Sequence, residues 1–263
     1  MKSTEQINDQ IQEHNSTASR TIASKYGDTV AKSFGYVTGE ELSSAPAKMK
    51  LGSVRGNPIA IDSLKKTIVD LGTGFGEDIF LASPKIGATS KAIGVDHCDA
   101  FLAVAEKTKA SRGSSVSNVS FVLADVTSVP LPEKTADLIM ANYVIVLIPR
   151  KDRHLVFKEM YRLLKPGGRV AMSSGLAKKP LPKKLREEGG SAMGGVVAIS
   201  DCDKWFREAG FKGAVFVDTK ADMNAHSSER RAEMARCSNA CGSEKKTDLN
   251  EFHGIYMIFA VKE

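Results

Sequence analysis

The stretch Ile68-Val-Asp-Leu-Gly-Thr-Gly-Phe-Gly-Glu77 is the part of the sequence that most directly predicts the fold. Its opening residues are typical of a buried β-strand, a glycine-dense turn follows, and Phe80-Leu-Ala82 continues as a helix. Glycine adopts positive φ freely and has no Cβ to keep a ligand away from the backbone. A strand, a glycine turn and a helix N-terminus in this order are typical of the binding edge of an open α/β sheet.

The spacing of the glycines favours one cofactor over another. The turn reads G-x-G-x-G, whereas the fingerprint of dinucleotide-binding proteins reads G-x-G-x-x-G. This difference favours S-adenosylmethionine (SAM), with S-adenosylhomocysteine as its product, over a nicotinamide cofactor. The residues of this segment that we expect to contact the cofactor are Asp70, Gly72, Thr73, Gly74 and Gly76.

Strand and helix patterns alternate from Thr67 onwards. Strands are predicted at 67–71, 91–95, 119–124, 137–144, 168–174, 214–218 and 254–262. Helices are predicted at about 76–83, 99–110, 151–165 and 201–209, and Lys165-Pro-Gly-Gly168 is a strong signal for the end of the third of these. The alternation predicts an α/β, doubly wound, Rossmann-like sheet with helices on both faces.

Polar segments flank and interrupt this pattern. Residues 1–50 are polar and favour helices, and we expect them to form a helical N-terminal cap over the active site. Residues 51–263 are predicted to form the SAM-binding domain. Within it, the Lys-, Pro- and Gly-rich stretch 175–195 is a candidate lid or substrate loop, and 220–250 is predicted to be an insertion.

Composition narrows the class of protein. The chain has 263 residues, 42% of them hydrophobic, but no apolar run of the ~18 residues that a membrane span needs. Its opening residues are too polar for a signal peptide, so we expect a cytoplasmic protein without a membrane partner. The four cysteines are spaced too irregularly for a disulfide framework or a metal site. The net charge of +6 lies largely in short Lys/Arg clusters without a nucleic-acid-binding motif, so no nucleic-acid partner is expected. The sequence leaves the oligomeric state open, with a monomer slightly favoured.

Further polar residues lie at the carboxyl ends of the next three predicted strands. A carboxylate at Asp96 can accept hydrogen bonds from both hydroxyls of a ribose, and His97 beside it is included in the candidate site. Asp125 and the backbone amide of Val126 are placed where an adenine could be recognised, and Asn142 could face the methionyl end of SAM or the substrate. Each also has a structural interpretation: the two aspartates could cap helices, the asparagine could close a turn, and a lone histidine is most often structural.

Residues 67–175 resemble class I SAM-dependent methyltransferases. The resemblance extends to the arsenite methyltransferase branch of the UbiE-like group, especially its fungal members, through Lys25-Tyr-Gly, Ser33-Phe-Gly-Tyr36, Gly39-Glu-Glu-Leu42, Gly56-Asn-Pro58, Asn142-Tyr-Val-Ile145 and Leu164-Lys-Pro-Gly-Gly168. It implies a seven-stranded sheet whose last strand is antiparallel, with SAM over the glycine turn. It also implies that Asp96 binds the ribose, that Asp125 lies near adenine, and that Tyr26 and Asn57 approach the methionyl end.

The sequence departs from the arsenite methyltransferases at their arsenic-binding cysteines. Arg55 stands where the family has a cysteine before Gly-Asn-Pro, and Ser191-Ala-Met-Gly-Gly195 has no thiol where a second is expected. A guanidinium only donates hydrogen bonds and cannot replace a soft arsenic ligand. The chain is in this respect similar to fungal thiomethyltransferases of secondary metabolism and detoxification, which act on reduced epidithiodiketopiperazines such as dithiol gliotoxin.

That resemblance implies SAM-dependent S-methylation of a small dithiol natural product in two successive transfers. Arg55, Tyr143 and Met193 are candidates for the substrate pocket, and no catalytic acid or base can be assigned. One alternative is arsenite methylation through Cys237 and Cys241, which would share a helix face at positions i and i+4. Others are C- or O-methylation of a quinone or polyketide, a catalytically silent SAM-binding protein, and an NAD-dependent oxidoreductase.

Overall fold

The computed structural model describes residues 66–180, 196–220 and 248–263, and these residues form an α/β fold around one sheet. The strands are β1 Thr67–Leu71, β2 Lys91–Asp96, β3 Val119–Leu123, β4 Ala136–Asn142, β5 Leu164–Ala177, β6 Val197–Ala198, β7 Val215–Asp218 and β8 His253–Val261. The helices are α1 Glu77–Ile86, α2 Asp99–Arg112, α3 Arg153–Leu163 and α4 Ile199–Ala209. Short 3-10 turns lie at Gly113–Val116, Ile145–Leu147 and Leu249–Glu251.

The sheet has the order β3-β2-β1-β4-β5-β8-β7, and β1 lies near its centre. Strands β1 to β5 are mutually parallel, whereas β8 lies antiparallel between β5 and β7. Four of the five residues of β1 are buried, as expected for a parallel strand covered on both faces. The predicted Rossmann-like sheet of seven strands with an antiparallel last strand is confirmed, and the two-residue β6 adds an eighth beside the end of β5.

Helices cover both faces of the sheet, as predicted. Successive residues of β1 alternate between two apolar clusters, because Ile68 belongs to one and Val69 to the other. On the first face, Phe80 of α1 packs edge-on against Phe121, with ring centroids 5.7 Å apart. On the second face, α3 and α4 meet through Phe157 and Phe206, whose ring centroids are 4.7 Å apart.

Three predicted boundaries around β4 and β5 were wrong. Strand β4 ends at Asn142 rather than at residue 144, because Tyr143 has a φ of 60° and leaves the extended conformation. Helix α3 ends at Leu163, and β5 already begins at the next residue, Leu164, which pairs with Ala136 ahead of a register shift. Residues 175–177, predicted to begin the lid-like connector, instead continue β5.

Several predicted segments lie outside the described residues. These are the N-terminal cap at 1–50, the connector from 181 to 195, and most of the predicted insertion, from 221 to 247. In the part of the chain that the structure describes, no helix is both long and apolar enough to span a membrane. The same part contains no cluster of three or more potential metal ligands.

Candidate functional site

The glycine turn after β1 is shaped by positive φ angles. Gly72, Gly74 and Gly76 have φ values of 73°, 55° and 80°, which side chains rarely tolerate. A Cβ at Gly72 would lie 2.5 Å from Val144 Cγ2, and one at Gly76 would lie 2.9 Å from the Phe80 ring. A Cβ at Gly74 would meet no atom within 4 Å. Packing therefore requires glycine at the two outer positions, while Gly74 borders open space.

The N–H groups of this turn are used within the protein. Those of Gly72 and Thr73 both donate to the carbonyl oxygen of Val95, at 2.8 and 2.9 Å. The N–H of Gly74 donates to Asp96 Oδ2 at 2.9 Å. A dinucleotide pyrophosphate needs such donors for itself. The first half of the turn is therefore not prepared to bind a phosphate.

Three buried carboxyl groups surround the turn. Asp70, Asp78 and Asp96 have only 2%, 8% and 5% of their surface exposed. Burial, and next the neighbouring Asp78 and Asp96, raise the pKa of Asp70 from 3.8 to about 8. Asp70 is therefore largely neutral at pH 7, and the remaining acidic side chains at the turn, Asp78 and Asp96, disfavour phosphate and favour a cationic ligand. SAM, which carries a sulfonium and an ammonium group, fits these residues better than NAD does.

Asp96 is held in place through both of its carboxylate oxygens. Oδ2 accepts the Gly74 N–H, and Oδ1 accepts the N–H of Cys98 at 2.9 Å. The imidazole Nδ1 of His97 lies 3.7 Å from Oδ1, and the His97 side chain is 40% exposed. These contacts fix the carboxylate at the end of β2 beside the glycine turn, as the prediction of a ribose ligand requires.

Asp125 and Val126 are placed differently. Asp125 is exposed, and its Oδ1 accepts hydrogen bonds from the backbone N–H and the hydroxyl of Thr127, at 2.8 and 2.7 Å. The side chain of Val126 is buried in the apolar cluster beneath the sheet edge. Asp125 therefore closes a turn rather than capping a helix, as its structural interpretation had suggested, and the adenine contact stays a prediction.

Asn142 connects three elements at the end of β4. Its side-chain Nδ2 donates a hydrogen bond to Asp78 Oδ2 at 3.1 Å, and its side-chain Oδ1 accepts one from Ser173 Oγ. The next residue, Tyr143, is buried in the left-handed conformation, which is strained for an aromatic residue and concentrates at functional sites. A Cβ at Gly175 would lie 3.0 Å from Tyr143 Oη, so this glycine allows the ring to lie against β5.

Sequence reasoning missed Asp78 and Ser173. Asp78 stands in the first turn of α1, where an acidic residue is usually explained by the helix dipole alone. Ser173 lies inside a predicted strand and carries no signal of its own. Four predicted site residues, Tyr26, Arg55, Asn57 and Met193, lie outside the described residues.

A Rossmann-like sheet with an acidic glycine turn at the end of β1 defines a class of SAM-binding enzymes. Residues 62–250 match the family model described as a methyltransferase domain, and the chain therefore belongs to this family of SAM-dependent methyltransferases.

The chain is similar to several named methyltransferases. It is 32% identical over 178 residues to an arsenite methyltransferase from Halobacterium salinarum, covering 66% of this chain and 44% of that protein. It is 35% identical over 152 residues to an arsenite methyltransferase from Aquipseudomonas alcaligenes, covering 55% and 43%. The chain thus spans less than half of the length of these relatives.

A solved structure shares the fold. The structure of an arsenic(III) S-adenosylmethionine methyltransferase from Chlamydomonas reinhardtii superposes with a TM-score of 0.64, covering 89% of this chain and 73% of that one. The two sequences are 23% identical, so this likeness shows the fold alone.

Proposed function

We propose that the protein methylates the thiols of a small dithiol compound in two successive transfers. When SAM is bound, it supplies the methyl group of its sulfonium. The acceptor sulfur bonds to this methyl carbon as the bond between the methyl group and the sulfonium sulfur breaks. The thiol proton passes to solvent. A thiol of pKa about 8.5 is already partly ionised at neutral pH and is a strong nucleophile. Such an acceptor requires alignment more than it requires a strong base.

The observation that carries this proposal is the state of the cysteines. The relatives are named as arsenite methyltransferases, and arsenic is a soft acceptor that thiolates bind. In this chain Cys98 and Cys202 are both buried, and burial, followed by Asp203 and Asp201, raises the pKa of the Cys202 thiol to about 12. Neither is suited to bind arsenic, and an acceptor that carries its own thiols needs no such cysteine ligand.

The test is a mass-spectrometric assay with SAM and reduced gliotoxin. We expect the monomethylthio product first and the bismethylthio product later. A diol of matched size is the control, and it should not react because a hydroxyl acceptor requires a base. The absence of any methylthio product from the dithiol would overturn the proposal.

Arsenite methylation is the second candidate, and the names of the relatives favour it. It would depend on Cys237 and Cys241, which lie outside the described residues. Under this alternative, arsenite is methylated in the presence of a reductant, and Cys237→Ser/Cys241→Ser abolishes turnover. Cys98→Ala is the matched control, because this buried thiol should not contribute to arsenite binding.

A further inference from the structure

A cavity of about 550 Å³ lies beside the end of β5, two strands along the sheet from β1 and its glycine turn. Ala177 and the residues that follow it form one wall, and the start of α4 forms another. Val197, Ile199 and Trp205 supply apolar surface, and Arg153 at the start of α3 also lines the cavity. The chemistry of this cavity is therefore an apolar wall combined with a buried cation.

Arg153 is held by neutral acceptors only. Its Nε donates to the carbonyl oxygen of Ile148 at 2.9 Å, and its Nη2 donates to that of Val146 at 3.4 Å. The remaining nitrogen, Nη1, is buried and has no hydrogen-bond partner. The whole residue is only 2% exposed. Proteins normally pair a buried charge, because removing it from water without a partner is costly.

The other charges at the cavity do not neutralise Arg153. Lys178 forms an ion pair with Asp218 at 3.2 Å, and Lys179 forms one with Glu251 at 2.8 Å. Arg150 is a second cation, and it acts after burial to lower the pKa of Arg153 to about 10. Among the described residues no carboxylate forms an ion pair with Arg153, although Asp201 lines the same cavity.

We propose that this cavity binds a carboxylate group of the methyl acceptor, with the Arg153 guanidinium as its donor and Trp205 against its apolar body. Lys178 and Lys179 already pair with carboxylates, so the positive charge of Arg153 is best balanced by a ligand with one negative charge. This inference rests on the proposed function, because it assigns a negative charge to the thiol acceptor proposed there. Among apolar thiol acceptors, those that carry one carboxylate are therefore expected to bind most tightly.

The cavity lies beside the carboxyl end of β5, at the edge of the sheet where ligands of open α/β folds bind. Gly175, which lies against Tyr143, is two residues before the cavity residue Ala177 in β5. An acceptor anchored by its carboxylate near Ala177 can therefore extend its thiol along β5 towards Tyr143 and the glycine turn.

Binding can be measured without any turnover. Trp205 is the only tryptophan of the chain, so its fluorescence reports on occupation of the cavity. We expect benzoate to bind about tenfold to a hundredfold more tightly than benzamide, its neutral isostere, as is usual for a hydrogen bond to a charged group. Arg153→Met should remove this preference. Equal affinity for the two compounds, or a preference that survives Arg153→Met, would overturn the proposal.

Two further variants separate binding from folding. Ala198→Glu keeps Arg153 and places a carboxylate on the cavity wall, so it should abolish benzoate binding even if Arg153→Met does not fold. Lys179→Met removes a positive charge from the same wall, but one that is already paired with Glu251. It should leave the preference for benzoate within about twofold, and a loss as large as that in Arg153→Met would contradict the assignment to Arg153.

Turnover then distinguishes the two proposals. Dihydrolipoate and dihydrolipoamide are dithiols that differ only in the carboxylate, and we expect a lower KM for dihydrolipoate that disappears in Ala198→Glu. If benzoate binds as expected but neither dithiol is methylated, thiol methylation fails and the carboxylate site stands. If both dithiols are methylated with equal KM and benzoate does not bind, the site fails and thiol methylation stands.

Discussion

Gly74 provides the most specific test of the cofactor site. Its φ of 55° is left-handed, so alanine there should cost about 1–2 kcal/mol in backbone strain. No atom within 4 Å obstructs a Cβ at this position, so Gly74→Ala should still fold. Its methyl group would occupy the space that we assign to the cofactor. We expect at least about tenfold weaker binding of S-adenosylhomocysteine, equivalent to about 1.4 kcal/mol, measured by isothermal titration calorimetry.

Gly113 is the matched control for this variant. It also has a positive φ, 58°, and a Cβ there would meet nothing within 4 Å, but it lies at the end of α2. Gly113→Ala should therefore lower stability without changing cofactor affinity. If both variants weaken binding equally, the effect of Gly74→Ala reflects general destabilisation, and the cofactor does not lie over the turn.

Asp70 makes stability depend on pH. Burial and the neighbouring carboxyl groups raise its pKa to about 8, so the folded state holds this proton more tightly than the unfolded state does. Its contribution to stability is fully present below about pH 4 and is lost as the pH rises through about 8. Asp70→Asn stays neutral, so the Tm of the variant relative to wild type should increase between pH 4 and pH 8. A difference in Tm that is constant over this range would contradict the raised pKa.

The individual site residues were predictable to different degrees. Asp96 and Asn142 could be predicted because each is a polar residue at the end of a strand, where the ends of parallel strands converge. Asp78 and Arg153 could not, because each lies at the start of a helix, and local sequence does not reveal what a helix end faces. Only the structure reveals that Arg153 is buried without a carboxylate partner among the described residues.

At the scale of elements, the boundary between α3 and β5 shows where sequence patterns fail. Pro166 and the two glycines after it predict a gap between helix and strand. The chain instead passes directly from Leu163 into β5, because Leu164 pairs with Ala136 and a register shift accommodates the residues up to Arg169. Long-range pairing decides this boundary, and local turn signals do not report it.

An ion pair within α3 holds the loop before β4 through hydrogen bonds to its backbone. Glu159 is buried, pairs with Arg162 at 2.7 Å, and accepts the buried N–H of Val129 at 2.7 Å. Glu159→Ala leaves that N–H without an acceptor, so the free energy of unfolding should fall by about 1–3 kcal/mol. Urea denaturation measures this change. Glu133→Ala removes an exposed carboxylate and should change stability by less than about 0.5 kcal/mol; similar losses in both variants would contradict this role for Glu159.

At the scale of the molecule, the alternation of strands and helices was sufficient to predict the Rossmann-like architecture. Parallel strands need crossover connections, which are usually helices, so the pattern predicts a parallel sheet, although the crossover from β3 to β4 contains no helix. The antiparallel direction of β8 was different, since it was implied only by the family resemblance, and its position between β5 and β7 was not predicted. The position of β8 depends on pairing between residues about ninety positions apart in the sequence, such as Arg169 and Val261. No local pattern encodes such pairing.

Cofactor binding should stabilise the whole described fold, because the turn joins β1, β2 and α1 at the centre of the sheet. A ligand at a hundred times its Kd adds about 2.7 kcal/mol to the stability of the folded state. For a domain of this size that corresponds to an increase in Tm of about 5–10 °C, measurable by calorimetry. S-adenosylhomocysteine should produce this shift, and NAD at the same concentration should not, because the buried acidic side chains of Asp78 and Asp96 disfavour its pyrophosphate. Asp96→Ala should reduce the shift at equal ligand concentration, whereas an equal shift with NAD would contradict the electrostatic argument for SAM.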